Sequence, residues 1–162
     1  MTRATFHSHS PAETAALGRR LGRALERGQF LAMVGPLGAG KTHFVQGLGR
    51  GLGVRRTINS PSFVIMKRYD GRLPLAHWDW YRLDSDVDLE STGFGDLPAA
   101  NDVVVVEWAD RFLDRFPESY LLIEMAHEGP AARRIDMRVR GDSPELTRIL
   151  HHLQQWWAKR HE

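Results

Sequence analysis

Residues 35–42 read Gly35-Pro36-Leu37-Gly38-Ala39-Gly40-Lys41-Thr42, and each residue type in that run suits a polyphosphate. Glycines let a chain curl round an anion with successive backbone N–H groups pointing inward. A helix starting where the loop ends adds its positive N-terminal end. Lys41 can bridge β- and γ-phosphates, and the Thr42 hydroxyl can hold Mg²⁺. The expected nucleotide contacts come from Gly35, Leu37, Gly38, Ala39, Gly40, Lys41 and Thr42. The ligand implied is ATP with Mg²⁺.

Magnesium takes oxygen ligands and keeps several waters, so a carboxylate is expected near Thr42. Glu107 follows the run Val103–Val106, and ligands collect at the carboxyl ends of strands in open α/β sheets. Thr42 and Glu107 are therefore the metal candidates. Asp79 lies in His77-Trp78-Asp79-Trp80-Tyr81-Arg82, where alternation sets His77, Asp79 and Tyr81 on one face and both tryptophans on the other. Asp79 is placed to polarise water, to support the metal shell or to pair with an arginine. Lys41, Asp79 and Glu107 form the catalytic set. Trp108 suits either the core or the nucleotide site, and alternation sets it opposite Glu107. Asn59-Ser60-Pro61-Ser62 reads equally as a plain turn or as a loop whose hydroxyls sense a γ-phosphate.

The elements that must position these groups are legible around them. Ser10-Pro11-Ala12-Glu13 opens a helix through a capping box, with Gly28 as its stop. Phe30–Val34 is a short buried strand and Thr42–Leu52 the next helix. Gly47, Gly49 and Gly51 within that helix imply close packing on the sheet. Phe63–Tyr69 and Leu73–Tyr81 read as strands joined by an Asp70-Gly71 hairpin turn with positive φ at both positions. Asp84–Glu90 begins a surface helix, Val103–Val106 is a strand covered on both faces, and Tyr120–Met125 pairs with Arg134–Arg140. A last helix covers about 144–160. The expectation is one α/β domain over residues 1–162, P-loop NTPase-like, with a mixed, mostly parallel sheet flanked by helices.

Composition excludes other classes. The absence of cysteine rules out disulfides, thiolate metal sites and a thiol nucleophile. No apolar run reaches spanning length and Met1–Ser10 lacks a signal-like apolar stretch, so no membrane and a cytoplasmic location are expected. Net charge is +2. The arginine pairs Arg19-Arg20, Arg55-Arg56 and Arg133-Arg134 are separated by acidic or apolar sequence rather than gathered in one basic stripe.

Four stretches then match one family in order and spacing: Gly35 to Thr42, Ser60-Pro61-Ser62-Phe63, His77-x-Asp79-x-Tyr81-Arg82-Leu83, and Val106-Glu107-Trp108. From about Thr14 to Arg134 the chain resembles the TsaE (YjeE) family, the ATPases of the bacterial tRNA threonylcarbamoyladenosine system. The resemblance implies an ATPase, weak alone and stimulated by the TsaB and TsaD proteins, that contacts tRNA only through that assembly. It implies a Mg²⁺ role for Thr42 and Glu107 and puts Ser60 and Ser62 in a switch loop. Trp108 belongs to the signature, while Thr14 and Arg134 fall near the nucleotide. Pro36, His43 and Trp80 depart from the family pattern. The alternatives are a small-molecule or nucleotide kinase with the same loop, and a nucleotide-gated binding protein.

Overall fold

Four consecutive valines cannot alternate between core and water, and the strand they open, Val103–Glu107, is buried throughout. In the computed structural model, which describes residues 2–61, 64–94 and 101–162, that strand lies inside a seven-stranded sheet. The elements are β1 (Arg3–Ser8), α1 (Pro11–Ala24), β2 (Phe30–Val34), α2 (Lys41–Gly51), β3 (Met66–Tyr69), β4 (Leu75–Asp79), α3 (Asp86–Ser91), β5 (Val103–Glu107), β6 (Tyr120–His127), β7 (Arg133–Arg140) and α4 (Pro144–Arg160). The sheet order is β1-β7-β6-β2-β5-β4-β3. The central β6, β2, β5 and β4 pair in parallel, whereas β7 and β3 run against their neighbours. The α/β class and mixed, mostly parallel sheet expected from the pattern are found.

Two apolar layers sandwich the sheet. Leu17, Leu21, Phe44, Leu48, Leu150 and Leu153 of α1, α2 and α4 cover one face, with Leu31, Val105 and Ile123 beneath them. The other face carries an aromatic cluster of Trp78, Trp80, Phe94, Phe112 and Phe116. Trp80 meets Phe94, Phe112 and Phe116 edge-on at 4.9–5.7 Å, the arrangement ring quadrupoles favour. Among the described residues no helix is long and apolar enough to cross a membrane.

The local signals map closely onto the helix starts. The Ser10 hydroxyl accepts from the Glu13 amide at 3.1 Å, with Pro11 in the first turn. The capping box closes differently from its usual form, because Glu13 accepts from the His9 amide at 3.0 Å. Glu13 also receives Nε2 of His161 at 2.6 Å, while Nδ1 of the same ring faces the Trp157 carbonyl at 2.9 Å. Both ring nitrogens thus meet acceptors, so the charged imidazolium fits and α4 is latched onto α1.

The structure adds one element the sequence reading left unassigned and corrects two expectations. A strand, β1, occupies Arg3–Ser8, where only Ala4, Phe6 and Ser8 are buried; it adds to the sheet beside β7. The Asp70-Gly71 link is no two-residue turn, since neither residue has positive φ and the strands end at Tyr69 and restart at Leu75. Gly71 is required instead by a close approach: a Cβ there would lie 2.4 Å from the Leu52 carbonyl oxygen. The α2 glycines pack on α1 and not on the sheet. A Cβ on Gly47 or Gly51 would lie 2.0–2.2 Å from the carbonyl oxygens of Ala15 and Arg19, and Gly18 and Gly22 of α1 answer against Phe44 and Leu48. Gly49 makes room for Ile58.

Two outcomes follow from this packing. Gly47→Ala gains helix propensity of roughly 1 kcal/mol, but the methyl collides with backbone that cannot rotate away. A net loss of about 2 kcal/mol is expected in urea denaturation; unchanged stability would show that the helices are free to separate. The His161–Glu13 latch lowers the carboxyl below its ordinary value, chiefly through the His161 hydrogen bond, and raises the imidazole, chiefly through Glu13. Its contribution is complete between about pH 4.5 and 6.5, fading below as Glu13 protonates and above as His161 deprotonates. His161→Ala should therefore cost stability in that window and little at pH 9, measured by thermal melts at both pH values.

Candidate functional site

Parallel pairing brings three strand ends to one edge. Asp79 of β4 stands beside Glu107 of β5 in the register, and Glu107 stands beside Met33 of β2, just before the glycine loop. Alternation does the rest. Burying Trp78, Trp80, Val104 and Val106 in the aromatic layer turns His77, Asp79 and Glu107 to the α1/α2 side. All three are buried, as is Lys41 at the start of α2. Lys41, Asp79 and Glu107, together with Thr42, His43, Ser60, Trp108 and the 37–40 loop, line a cleft of about 330 Å³, with His77 enclosed behind Glu107.

The loop takes its shape from backbone conformations that suit glycine. Gly38 and Gly40 have φ of +75° and +94°, and Gly40 caps α2 without a side chain. From that cap the chain turns straight into the helix, with the Phe44 amide donating to the Gly40 carbonyl at 3.0 Å. Lys41 Nζ donates to the Gly35 carbonyl at 2.6 Å and lies 3.6 Å from the centre of the Trp108 ring, a cation–π contact. Burial pushes the Lys41 ammonium below its ordinary range, while the carboxylates of Glu107, Asp79 and Asp110 oppose that shift. A largely buried cation beside the glycine loop attracts an anion more strongly than an exposed one would.

The two acids are held differently. Glu107 Oε2 lies 2.6 Å from His77 Nε2, a diagonal cross-strand contact on one face, and the imidazole fixes the carboxylate rotamer. Asp79 accepts from the Tyr81 amide at 2.9 Å and from the Ser60 hydroxyl at 3.3 Å. The Asp79 amide itself donates to the Ile65 carbonyl at 2.8 Å. Ile65 is a β-branched residue at φ 70°, a conformation costing about 1–3 kcal/mol that concentrates at functional sites. The donor set of two carboxylates and two hydroxyls is all oxygen. It fits Mg²⁺, which uses one or two carboxylates with phosphates and water.

The cleft gathers most of the residues singled out from the sequence and leaves others aside. Leu37, Gly38, Ala39, Gly40, Lys41, Thr42, Ser60, Asp79, Glu107 and Trp108 line it. Gly35 meets it through the carbonyl that holds Lys41. Ser62 lies outside the described residues. Thr14 is buried under the loop, where its hydroxyl contacts Ser8 Oγ at 2.7 Å and its methyl lies close to Gly40; Pro11, one turn earlier, reaches the wall. Trp108 corrects the alternation argument. Its φ of 58° ends the strand pattern, so its ring swings to the same cleft as Glu107 and packs 4.8 Å from Tyr81.

Arg134 is also displaced from its expected place. β7 begins at Arg133, which shares a face with Ile135 and Met137 of the α-side core, and Arg133 donates to the Gly38 carbonyl at 3.0 Å. Arg134 falls on the opposite face and pairs with Asp136 at 3.2 Å. The residues missed from sequence are thus Arg133 and His127, whose Nε2 reaches the Leu37 carbonyl at 3.3 Å, together with His77 as the Glu107 partner. His77 carried a signal, because it sits two residues before Asp79 on the same face.

Comparisons with known proteins identify the family and the fold. The family model described as threonylcarbamoyl adenosine biosynthesis protein TsaE matches residues 8–135. A tRNA threonylcarbamoyladenosine biosynthesis protein TsaE from Treponema pallidum is 41% identical over 73% of this chain and 87% of its own. The protein of the same name from Bacillus subtilis is 35% identical over 90% and 92%. The crystal structure of Bacillus subtilis YdiB superposes with a TM-score of 0.73 at 28% identity, covering 99% of this chain and 97% of that one. The glycine loop, two strand-end acids and these relatives lead to one assignment: the chain belongs to the TsaE family, involved in tRNA threonylcarbamoyladenosine biosynthesis.

Proposed function

We propose that this protein is a Mg²⁺-dependent ATPase that serves threonylcarbamoyladenosine formation in the cytoplasm together with the TsaB and TsaD proteins. The observation that carries the reading is the register of Asp79 beside Glu107 in the same cleft as Lys41. Backbone amides of residues 37–41 and the Lys41 ammonium bind the triphosphate, the ammonium leaving the Gly35 carbonyl for phosphate oxygens. Thr42 and Glu107 would hold Mg²⁺, which would supply positive charge to offset that of the phosphates. His77 keeps the Glu107 carboxylate aimed at that position. Asp79 orients the attacking water and accepts its proton, and Ser60, bonded to Asp79, links the preceding loop to the state of the γ-phosphate. Trp108 covers Lys41 and restricts water around it.

The isolated chain is expected to turn over slowly, because the switch loop and the cleft mouth are completed by partners. The kinase alternative draws on no observation beyond the glycine loop and the strand-end acid that both readings share.

Lys41→Ala removes a charge-assisted contact and should weaken ATP binding by about ten- to a hundredfold, read by calorimetric titration; unaltered affinity would contradict the role given to it. Glu107→Gln keeps the shape and loses the charge. It should lower Mg²⁺-dependent phosphate release by about a hundredfold or more with the fold intact by circular dichroism, and full activity would move the metal position elsewhere. Adding TsaB and TsaD should raise turnover of the unaltered chain severalfold, whereas equal rates with and without them would separate this protein from that assembly.

A further inference from the structure

Four side chains form a stack that runs from the protein surface to the nucleotide cleft. The Arg111 guanidinium lies 5.7 Å from the centre of the Tyr81 ring. Tyr81 lies 4.8 Å from the Trp108 ring, and Trp108 lies 3.6 Å from Lys41 Nζ. Both ends are anchored, because Lys41 donates to the Gly35 carbonyl at 2.6 Å and Arg111 to the Leu83 carbonyl at 2.9 Å. Tyr81 is 44% exposed and does not line the cleft. Among the described residues its hydroxyl makes no hydrogen bond, while its amide donates to Asp79 at 2.9 Å.

The backbone shows why Trp108 needs support. A bulky residue at φ 58° occupies a sparsely populated region, and such a conformation persists where its surroundings over-determine it. The register sets Asp79 beside Glu107, and the Glu107 carbonyl accepts from the Trp80 amide at 3.1 Å. The chain segments leaving β4 and β5 are therefore held side by side, which is where Tyr81 and Trp108 meet. Offset aromatic pairs of this kind are favourable beyond the area they bury. On its other side Trp108 shields Lys41, and an ammonium kept from water attracts a phosphate more strongly than a hydrated one. A ring as exposed as that of Tyr81 adds little to the core, so its stacking serves the cleft more than the fold.

We infer that Tyr81 is a positioning residue for nucleotide binding, acting through Trp108 to keep Lys41 covered. The inference rests on the ATP reading of the cleft. It makes the affinity of a largely buried lysine depend on an aromatic contact at the protein surface, with Arg111 steadying the outer member.

The test is calorimetric titration of the full chain with ATP and Mg²⁺, with melting temperatures measured without nucleotide. Tyr81→Ala should weaken ATP binding about three- to tenfold while the melting temperature stays close to that of the unaltered chain. Tyr81→Phe, which keeps the ring, should bind within about twofold of the unaltered chain. Tyr81→Leu, which keeps apolar bulk without the ring, should resemble Tyr81→Ala. Because Tyr81 acts through Trp108, adding Tyr81→Ala to Trp108→Ala should bring no further loss. Unaltered ATP affinity in Tyr81→Ala would overturn the inference, as would losses that multiply in the double variant. Weak binding by Tyr81→Phe would assign the effect to the hydroxyl, and full binding by Tyr81→Leu would assign it to bulk; either overturns the stack. Lys41→Ala separates the two levels. If it weakens ATP binding while Tyr81→Ala does not, the positioning role alone fails; if it leaves ATP affinity unaltered, the ATP reading fails and the inference with it.

Discussion

The parallel pairing of β4, β5 and β2 is the constraint on which the site depends. It places Asp79, Glu107 and Met33 side by side at strand ends, so that two carboxylates and the start of the phosphate loop share one edge. A slip of one residue in β4 or β5 would send an acid into the aromatic layer and a tryptophan into the cleft, because side chains alternate with period two. Burial of Trp78 and Trp80 among Phe94, Phe112 and Phe116 therefore does more than stabilise the sheet. It enforces the register that aims the acids.

The second support is the close approach of α1 and α2. Glycines on both helices let backbones meet where any side chain would collide, which draws the first turn of α2, with Lys41 and Thr42, down over the strand ends. Thr14 of α1 then lies directly beneath Gly40. Pinning the loop from its other side are Arg133 and His127, which bond the carbonyls of Gly38 and Leu37. The glycine loop is thus held in place by elements far apart in sequence, and a preorganised loop loses less conformational entropy on binding a ligand.

Much of this was legible in the chain. Helix starts are local events, so Ser10-Pro11 announced α1, and the valine run announced a doubly covered strand. The glycine loop and the strand-end acids were likewise readable, because their spacing answers to a small ligand geometry. What could not be read was set by tertiary partners. β1 has only three buried positions and exists because β7 offers it an edge. Trp108 departs from alternation through a positive φ that no local residue dictates. The choice between Arg133 and Arg134 turns on where β7 begins, and a shift of one residue there exchanges the faces.

The central claim is that the nucleotide cleft of this chain drives its part in tRNA modification. Its most direct measurement is threonylcarbamoyladenosine in bulk tRNA from a strain depleted of its own TsaE and supplied with this protein. The unaltered chain should restore the modified nucleoside, while Lys41→Ala, made to the same level, should not. Full restoration by Lys41→Ala would contradict the account.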